Sequence, residues 1–237
     1  MNDQNTPPPA NAVPPMRGPL RKTSISQQVY EALRNRIIDL ELVPGLNLSR
    51  VEIADFYSVS QTPVRDAMLK LEEEGLLVIF PQSKTEVSRI NIDQARETQF
   101  LRVSLETEVV RKLATSGTDD CVAEAKVIIT RQKSAFDADD LPYFQELDRA
   151  FHKALFTAAG LENLWHLIDE RSGQIDRLRK LNLPVAGKTK EIIKAHSAIV
   201  AAIERKDADD AENQVRTHLS GTLGQIDMIM ARHPAFF

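Results

Sequence analysis

The chain has 237 residues, of which 42% are hydrophobic and 27% charged, and its formal net charge is −4. This length suits two domains, and the composition supports a packed core in a soluble chain. No apolar run approaches the roughly 20 residues that cross a bilayer, and no signal-peptide core is evident, so we expect a cytoplasmic protein without membrane contact. The single cysteine, Cys121, excludes an intramolecular disulfide. A negative net charge does not itself favour a nucleic-acid partner, so any such binding depends on where the basic residues lie.

Residues 1–22 are rich in proline and almost free of large apolar side chains, which predicts a disordered leader. A helix over about residues 26–40 is expected next, because apolar residues recur there at helical spacing. Pro44 and Gly45 follow it and mark a turn.

The stretch from Leu48 to Leu77 contains two short helical patterns separated by a tight polar turn. Ser60 is a suitable N-cap for the second helix, and Pro63 falls in its first turn, where a missing N–H costs nothing. Gln61, Thr62 and Arg65 then occupy the exposed N-terminal end of that helix. A helix-turn-helix protein places this end in the major groove of DNA.

Two short strands are predicted after the second helix, over residues 76–80 and 85–88, around a polar turn at residues 81–84. Three helices followed by a β-hairpin describe a winged helix-turn-helix, which we assign to residues 23–91. Its basic residues would have to gather on one surface to hold DNA. The DNA contacts expected from placement are Arg34, Arg50, Ser60, Gln61, Thr62, Arg65 and Lys84.

Residues 92–232 show helical patterns and no convincing strand. Helices are expected at about 93–115, 119–136, 140–159, 161–181, 188–205 and 208–232, with a short tail at 233–237. The fold class is therefore mainly α, a winged helix followed by an antiparallel bundle of about six helices with short connections.

Four metal-capable residues fall on or beside the apolar stripes of three of these helices: Asp148, His152, His196 and His218. Asp148 and His152 are four residues apart and so share one helix face. Burying an ionised aspartate and several imidazoles without partners would be costly, and one shared divalent cation removes that cost. Ligands of this kind suit zinc first, with nickel, manganese and iron(II) as alternatives. We expect neither His166 nor His233 to take part.

The segment from Val29 to Ile90 resembles the winged helix of the GntR family of bacterial transcription regulators. The similarity lies in the VYEALRNRII helix, the Pro44-Gly45 turn and the run VSQTPVRDAMLKLEEEGLL. Residues 100–114, 146–160 and 194–219 resemble the FCD domain of the FadR subfamily within that family. Two departures occur: Gln61 stands where arginine is frequent in the subfamily, and Gln82-Ser83-Lys84 stand where the wing usually has a glycine.

The resemblance implies a DNA-binding regulator, more often a repressor and not an enzyme, that acts as a homodimer on a short palindromic operator. It also implies that Asp148, His152, His196 and His218 hold a metal at the base of a ligand cavity. A small organic or sugar acid would bind there, with its carboxylate on the metal and on Arg102. Arg177 is a weaker candidate for the cavity wall, and Arg102 has a plainer alternative as an ion-pair partner of Glu106 at i,i+4.

Three other functions fit parts of the same pattern. A regulator that senses the metal itself would use the same four ligands. A metal-dependent hydrolase is less favoured, because no adjacent general-base motif is found and a winged helix would be unexplained. A purely structural metal in a dimerisation domain is the third.

Overall fold

The computed structural model describes residues 24–118, 120–185 and 187–237. The leader expected over residues 1–22 lies outside these ranges. Over the described residues no helix is long and apolar enough to cross a membrane.

The N-terminal domain consists of α1 (Ile25–Ile38), α2 (Arg50–Tyr57), α3 (Gln61–Glu73), β1 (Leu77–Ile79) and β2 (Thr85–Val87). Ser24 caps α1 by accepting a hydrogen bond from the Gln27 N–H. The two strands pair antiparallel, with Leu77 opposite Val87, and Asn47 adds a single bridge to Glu86. The apolar faces of the helices and the wing meet in one core, formed around Leu33, Val64, Met68, Leu71 and Leu76. The winged helix is therefore confirmed, with strands slightly shorter than predicted.

The rest of the described chain is helical. It contains α4 (Ile92–Ser116), α5 (Ala123–Asp137), α6 (Leu141–Ala158), α7 (Glu162–Arg171), α8 (Gly173–Asn182), α9 (Lys188–Glu204), α10 (Ala208–Ser220) and α11 (Ile226–Arg232). Short 3-10 turns at Leu223–Gln225 and Pro234–Phe236 complete it. The bundle core contains Val110, Phe144, Phe151, Ile199 and Val215.

Two of the predicted helices are interrupted. The one expected over 161–181 breaks at Ser172, whose hydroxyl bonds back to the Ile168 carbonyl oxygen and competes with the regular helix. The break also turns Gly173 against Leu76, so closely that an added Cβ would lie 2.7 Å from a Leu76 methyl. The helix expected over 208–232 ends at Ser220 and resumes at Ile226.

The last residues pack onto the connection between the domains. The Ile90 N–H donates to the Phe236 carbonyl at 2.8 Å, and Arg89 donates to the Ala235 carbonyl. Ile90 also shares a small apolar cluster with Ile175, Leu178 and Ile229. The segment expected to be a tail at 233–237 is therefore part of the fold, because the link between the domains supplies its hydrogen-bond partners.

Candidate metal centre and DNA-binding surface

The structure brings the four predicted ligands together from three helices. Asp148 and His152 lie on α6, His196 on α9 and His218 on α10, and one ligand atom from each lies within 4.8 Å of all the others. The Nε2 atoms of His196 and His218 are 3.2 Å apart, and those of His218 and His152 are 3.3 Å apart. Asp148 Oδ1 lies 3.5 Å from His196 Nε2.

Two of the imidazoles are oriented by hydrogen bonds at Nδ1, the ring nitrogen that is not directed at the cluster. Nδ1 of His152 lies 2.6 Å from Glu106 Oε2, and Nδ1 of His196 lies 2.9 Å from Gln132 Oε1. An ionised carboxylate only accepts, so His152 must donate from Nδ1, and in the neutral ring its Nε2 then carries a lone pair. Phe151 stacks on His196, with ring centroids 3.7 Å apart, and holds that ring in place.

These residues fit a cation. The Nε2 atoms of three histidines face one another at close range, and those of neutral His152 and His196 offer lone pairs to a cation placed between them. The buried Asp148 Oδ1 has no hydrogen-bond partner among the described residues. A tetrahedral ion with metal–ligand distances of about 2.0–2.1 Å separates neighbouring ligand atoms by about 3.3–3.4 Å, close to the spacings seen here. Histidines fixed by a carboxylate or amide through the second nitrogen are typical of metal sites.

The charge state of the cluster also suits a cation. Burial lowers the pKa of His196 well below its ordinary value and lowers that of His218 to about 3. Burial raises the pKa of Asp148, but the Arg179 guanidinium and the histidines outweigh it, so the pKa of this carboxyl lies well below its usual range. In the same way Arg102 and His152 overcome burial and bring the pKa of Glu106 to about 2. Neutral pH therefore presents two ionised carboxylates and uncharged imidazoles at His196 and His218.

A cavity of about 950 Å³ opens beside this cluster. Asp148, His218 and Arg102 line it from the bundle, and Tyr30, Arg34 and Lys70 line it from the winged helix. Arg102 is 2% exposed and donates from Nε to Glu106 at 2.9 Å, which is the ion pair considered from sequence. Its buried Nη2 has no partner among the described residues. Arg102 thus keeps a free donor at the cavity while it holds Glu106.

Arg177, proposed from sequence as a cavity residue, is not among the residues that line it. It is fully buried between the domains and donates to the Ser88 carbonyl at 2.7 Å and to Gln174 Oε1 at 2.5 Å. Arg179 faces the cavity instead and donates to Asp148 Oδ2 at 2.5 Å. Two residues along a helix turn a side chain by about 200°, so these two arginines occupy opposite faces of α8.

Six of the seven predicted DNA contacts lie on the exposed surface of the winged helix. Ser60, Gln61, Thr62 and Arg65 are exposed at the start of α3, whose buried face is formed by Val64, Ala67, Met68 and Leu71. Ser60 is the N-cap residue, although its side chain makes no capping bond. Arg50 is exposed at the start of α2, and the exposed Lys84 in the wing pairs with Glu86.

Arg34 does not belong to that surface. It is 4% exposed, donates from Nε to Glu74 at 2.8 Å, and donates from Nη2 to the carbonyl of Asp169 on α7 at 2.7 Å. A buried guanidinium with these partners cannot reach a phosphate group, so the prediction of Arg34 as a DNA contact is wrong. It joins α1, the end of α3 and the bundle.

Three residues that shape the candidate metal centre were not predicted from the sequence: Glu106, Gln132 and Arg179. Glu106 was considered only as a partner for Arg102. Gln132 lies on the apolar face of α5, where its 0% exposure marks it as a polar residue that needs a partner. A polar residue within an apolar stripe was the available signal.

Comparison with known proteins identifies both domains. The model of the bacterial regulatory proteins of the gntR family matches residues 25–87, and that of the FCD domain matches residues 97–221. The chain is 33% identical over 211 residues to an uncharacterized HTH-type transcriptional regulator in an unstable DNA locus of Streptomyces ambofaciens, covering 89% of each chain. It is 29% identical over 213 residues to the HTH-type transcriptional repressor RspR of Escherichia coli, covering 90% of this chain and 93% of that one.

Solved structures agree at the level of the fold. McbR/YncC of E. coli superposes with a TM-score of 0.74 at 20% identity, covering 90% of this chain and all of the other. A GntR regulator from Rhodococcus gives 0.71 at 19% identity, covering 85% and 96%. The family matches and these relatives are transcription regulators, not enzymes. The chain therefore belongs to the GntR family of bacterial transcription regulators, as a DNA-binding winged helix joined to an FCD domain.

Proposed function

We propose that this regulator is a repressor whose operator affinity is controlled by a small organic or sugar acid bound in its FCD domain. The acid binds beside a divalent cation, for which zinc is the preferred assignment, and the cation is held by Asp148, His152, His196 and His218. The observation that carries the proposal is a pair of buried, unpartnered polar atoms of opposite charge at one cavity, Asp148 Oδ1 and Arg102 Nη2.

Each of these atoms needs a partner that the described chain does not supply. A buried polar atom without a hydrogen bond is destabilising, and more so when it belongs to a charged group. A cation satisfies Asp148 Oδ1 and the facing imidazole lone pairs. The carboxylate of an acid satisfies Arg102 Nη2 through a charge-assisted hydrogen bond. When bound, the cation supplies a Lewis-acidic position for a carboxylate oxygen, while Arg102 and the cavity wall orient the acid.

Residues of the DNA-binding domain also line this cavity, so a bound acid can contact both domains. The cavity wall includes Tyr30 and Arg34 of α1 and Lys70 of α3. Both Tyr30 and Arg34 bond Glu74 at the C-terminal end of α3. An acid that fills this space in one arrangement of the domains and not in another shifts the population of that arrangement.

On DNA, each copy in a homodimer places the start of α3 in the major groove of one half of a short palindrome. Arg65 and Thr62 contact bases, and Gln61 pairs adenine or touches the backbone. Arg50 and Lys84 hold phosphates, and the Lys84–Glu86 ion pair opens at little cost because it is exposed to solvent.

The test is DNA binding by the metal-loaded full-length protein to its own promoter region, titrated with a panel of small organic and sugar acids. We expect one acid to change the affinity and His196→Ala to abolish that change while leaving the choice of DNA sequence intact. His233→Ala is the matched control, since His233 belongs neither to the four-ligand cluster nor to the residues that line the cavity. An unaltered acid response in His196→Ala contradicts the proposal.

A second candidate function is a regulator that senses the metal itself. The four converging ligand atoms favour it equally, because they need no acid. DNA binding that ignores every acid, but changes with chelator and added metal, would establish it. The winged helix supports neither a metal-dependent hydrolase nor a purely structural metal. Turnover of small esters by the purified protein would be evidence for the hydrolase.

A further inference from the structure

The cavity contains further unpartnered polar atoms, separate from the metal ligands and from Arg102. Asn182 is 1% exposed and lines the cavity, and neither its Oδ1 nor its Nδ2 has a hydrogen-bond partner among the described residues. Gln145 also lines the cavity, and its buried Oε1 is likewise unpartnered. Buried amides in folded proteins are nearly always hydrogen-bonded, so an amide with both ends free requires an explanation.

Both side chains lie close to the metal centre. Gln145 is three residues before Asp148 on α6, and Asn182 is three residues after Arg179 on α8. The Arg179–Asp148 ion pair, at 2.5 Å, joins these two helices. Each amide residue is thus about one helical turn, or roughly 5 Å along its helix, from that pair. One extended ligand can reach from the metal side of the cavity to them.

We propose that Asn182, supported by Gln145, recognises adjacent hydroxyl groups on the effector, so that the ligand is a polyhydroxy acid and not an unsubstituted one. This inference rests on the proposed carboxylate-binding function and narrows it. A carboxamide presents one acceptor and two donor hydrogens in one plane. Two neighbouring hydroxyls match it, since one accepts from Nδ2 while the other donates to Oδ1. The Gln145 carbonyl accepts from a further hydroxyl.

Hydrogen-bonding sites of this kind discriminate strongly. A ligand without the hydroxyls leaves buried polar atoms unpaired, and sites built to bond a hydroxyl reject such analogues by large factors. An acid with hydroxyls on neighbouring carbons satisfies Arg102 at its carboxylate and Asn182 along its chain. The cavity, at about 950 Å³, has room for a chain of six carbons.

The experiment is calorimetric titration of the metal-loaded full-length protein with six-carbon aldonates (D-gluconate, D-galactonate, D-mannonate) and with hexanoate. We expect at least one aldonate to bind 100-fold or more tightly than hexanoate. Asn182→Leu preserves the branched shape and should reduce that preference at least tenfold, with hexanoate binding unchanged or improved. Asn163→Leu makes the same chemical change at an exposed position of α7 and should leave the preference intact.

Thermal unfolding of the ligand-free protein separates recognition from a structural role. If the Asn182 amide has no hydrogen-bond partner until a ligand binds, Asn182→Leu removes a buried unpaired amide and should raise Tm by a few degrees. A fall in Tm would show that the amide supports the fold and would overturn the inference. Gln145→Leu, at the other amide, should reduce the aldonate preference without lowering Tm and provides the second variant.

The remaining outcomes separate this inference from the function on which it rests. If hexanoate binds as tightly as every aldonate and also changes DNA affinity, the hydroxyl inference falls and the carboxylate effector stands. If neither kind of acid binds, both are overturned. An aldonate preference that persists in Asn182→Leu and in Gln145→Leu overturns only the role of these two amides.

Discussion

Arg177 and Arg179 project from opposite faces of α8, and each holds a different functional part of the molecule. Arg179 donates to Asp148 at the candidate metal centre, at 2.5 Å, and Arg177 donates to the Ser88 carbonyl just after the wing, at 2.7 Å. Gln174 on the same helix donates to the Gly75 carbonyl and accepts from the Asn91 N–H. One short helix therefore contacts both the candidate metal centre and the segment that leads out of the DNA-binding domain.

This arrangement predicts opposite effects for two matched substitutions. Arg179→Met should weaken metal binding by about 10–100-fold, because the bond that orients a ligating carboxylate is lost. Arg177→Met should leave metal affinity nearly unchanged and weaken the effect of a bound acid on DNA affinity, because the link from α8 to Ser88 is cut. Chelator competition measures the first effect and DNA titration with and without acid the second. Equal loss of metal affinity in both variants would show that α8 does not separate the two roles.

The second prediction concerns Glu106, which bonds Nδ1 of His152 and Nε of Arg102. Glu106→Gln retains the shape and removes the charge, so it should weaken metal binding by about 10–100-fold and lower Tm in the presence of metal. Glu108→Gln on the exposed face of the same helix is the control. Metal affinity that is the same in both variants would argue that the carboxylate does not tune the histidine.

The third prediction is a pH dependence of the metal-free protein. Burial lowers the pKa of His218 to about 3 and also lowers that of His196, whereas both histidines have an ordinary value near 6.5 when unfolded. Below pH 6.5 the unfolded chain binds more protons than the folded one. The contribution of these two histidines to the free energy of unfolding is therefore fully present above pH 6.5. It decreases as the pH drops, by up to about 1.4 kcal/mol per pH unit for each histidine.

Urea unfolding of chelator-treated protein between pH 8 and 5 measures this slope. The buried carboxylates contribute little in that window, because their unfolded pKa values lie lower. His218→Gln should remove about half of the slope that these two histidines produce. A profile that stays flat from pH 7 to 5 in both proteins would show that the imidazoles can take up protons within the fold.

The fourth prediction separates two arginines of the winged helix. Arg34→Ala leaves Glu74 buried without its ion-pair partner and should cost about 3–5 kcal/mol of folding stability. Arg65→Ala alters an exposed position and should change stability by no more than about 0.5 kcal/mol. On DNA it should cost about 1–3 kcal/mol and relax base preference. Thermal unfolding measures the stability of each variant, and fluorescence anisotropy with operator DNA measures its DNA affinity. An Arg34→Ala protein that is stable but binds DNA weakly would show that Arg34 contacts DNA after all.

The sequence by itself determined the order of the elements, the winged helix and the four residues that converge in the candidate metal centre. These are encoded locally: apolar spacing fixes which face of a helix is buried, and a polar residue on that face must find a partner. The same logic found the exposed start of α3, because the apolar side of that helix leaves only one side free.

The tertiary structure alone decided which partner each buried charge takes. Arg177 and Arg179 are both arginines on one short helix, and only the packing of α8 sends one to the wing and the other to Asp148. Arg34 is similar, since a basic residue near the first helix of a DNA-binding domain suggests phosphate until Glu74 is found beside it. Periodicity tells which residues are buried, but contacts between distant segments depend on how whole helices pack, and the spacing within a single helix does not contain that information.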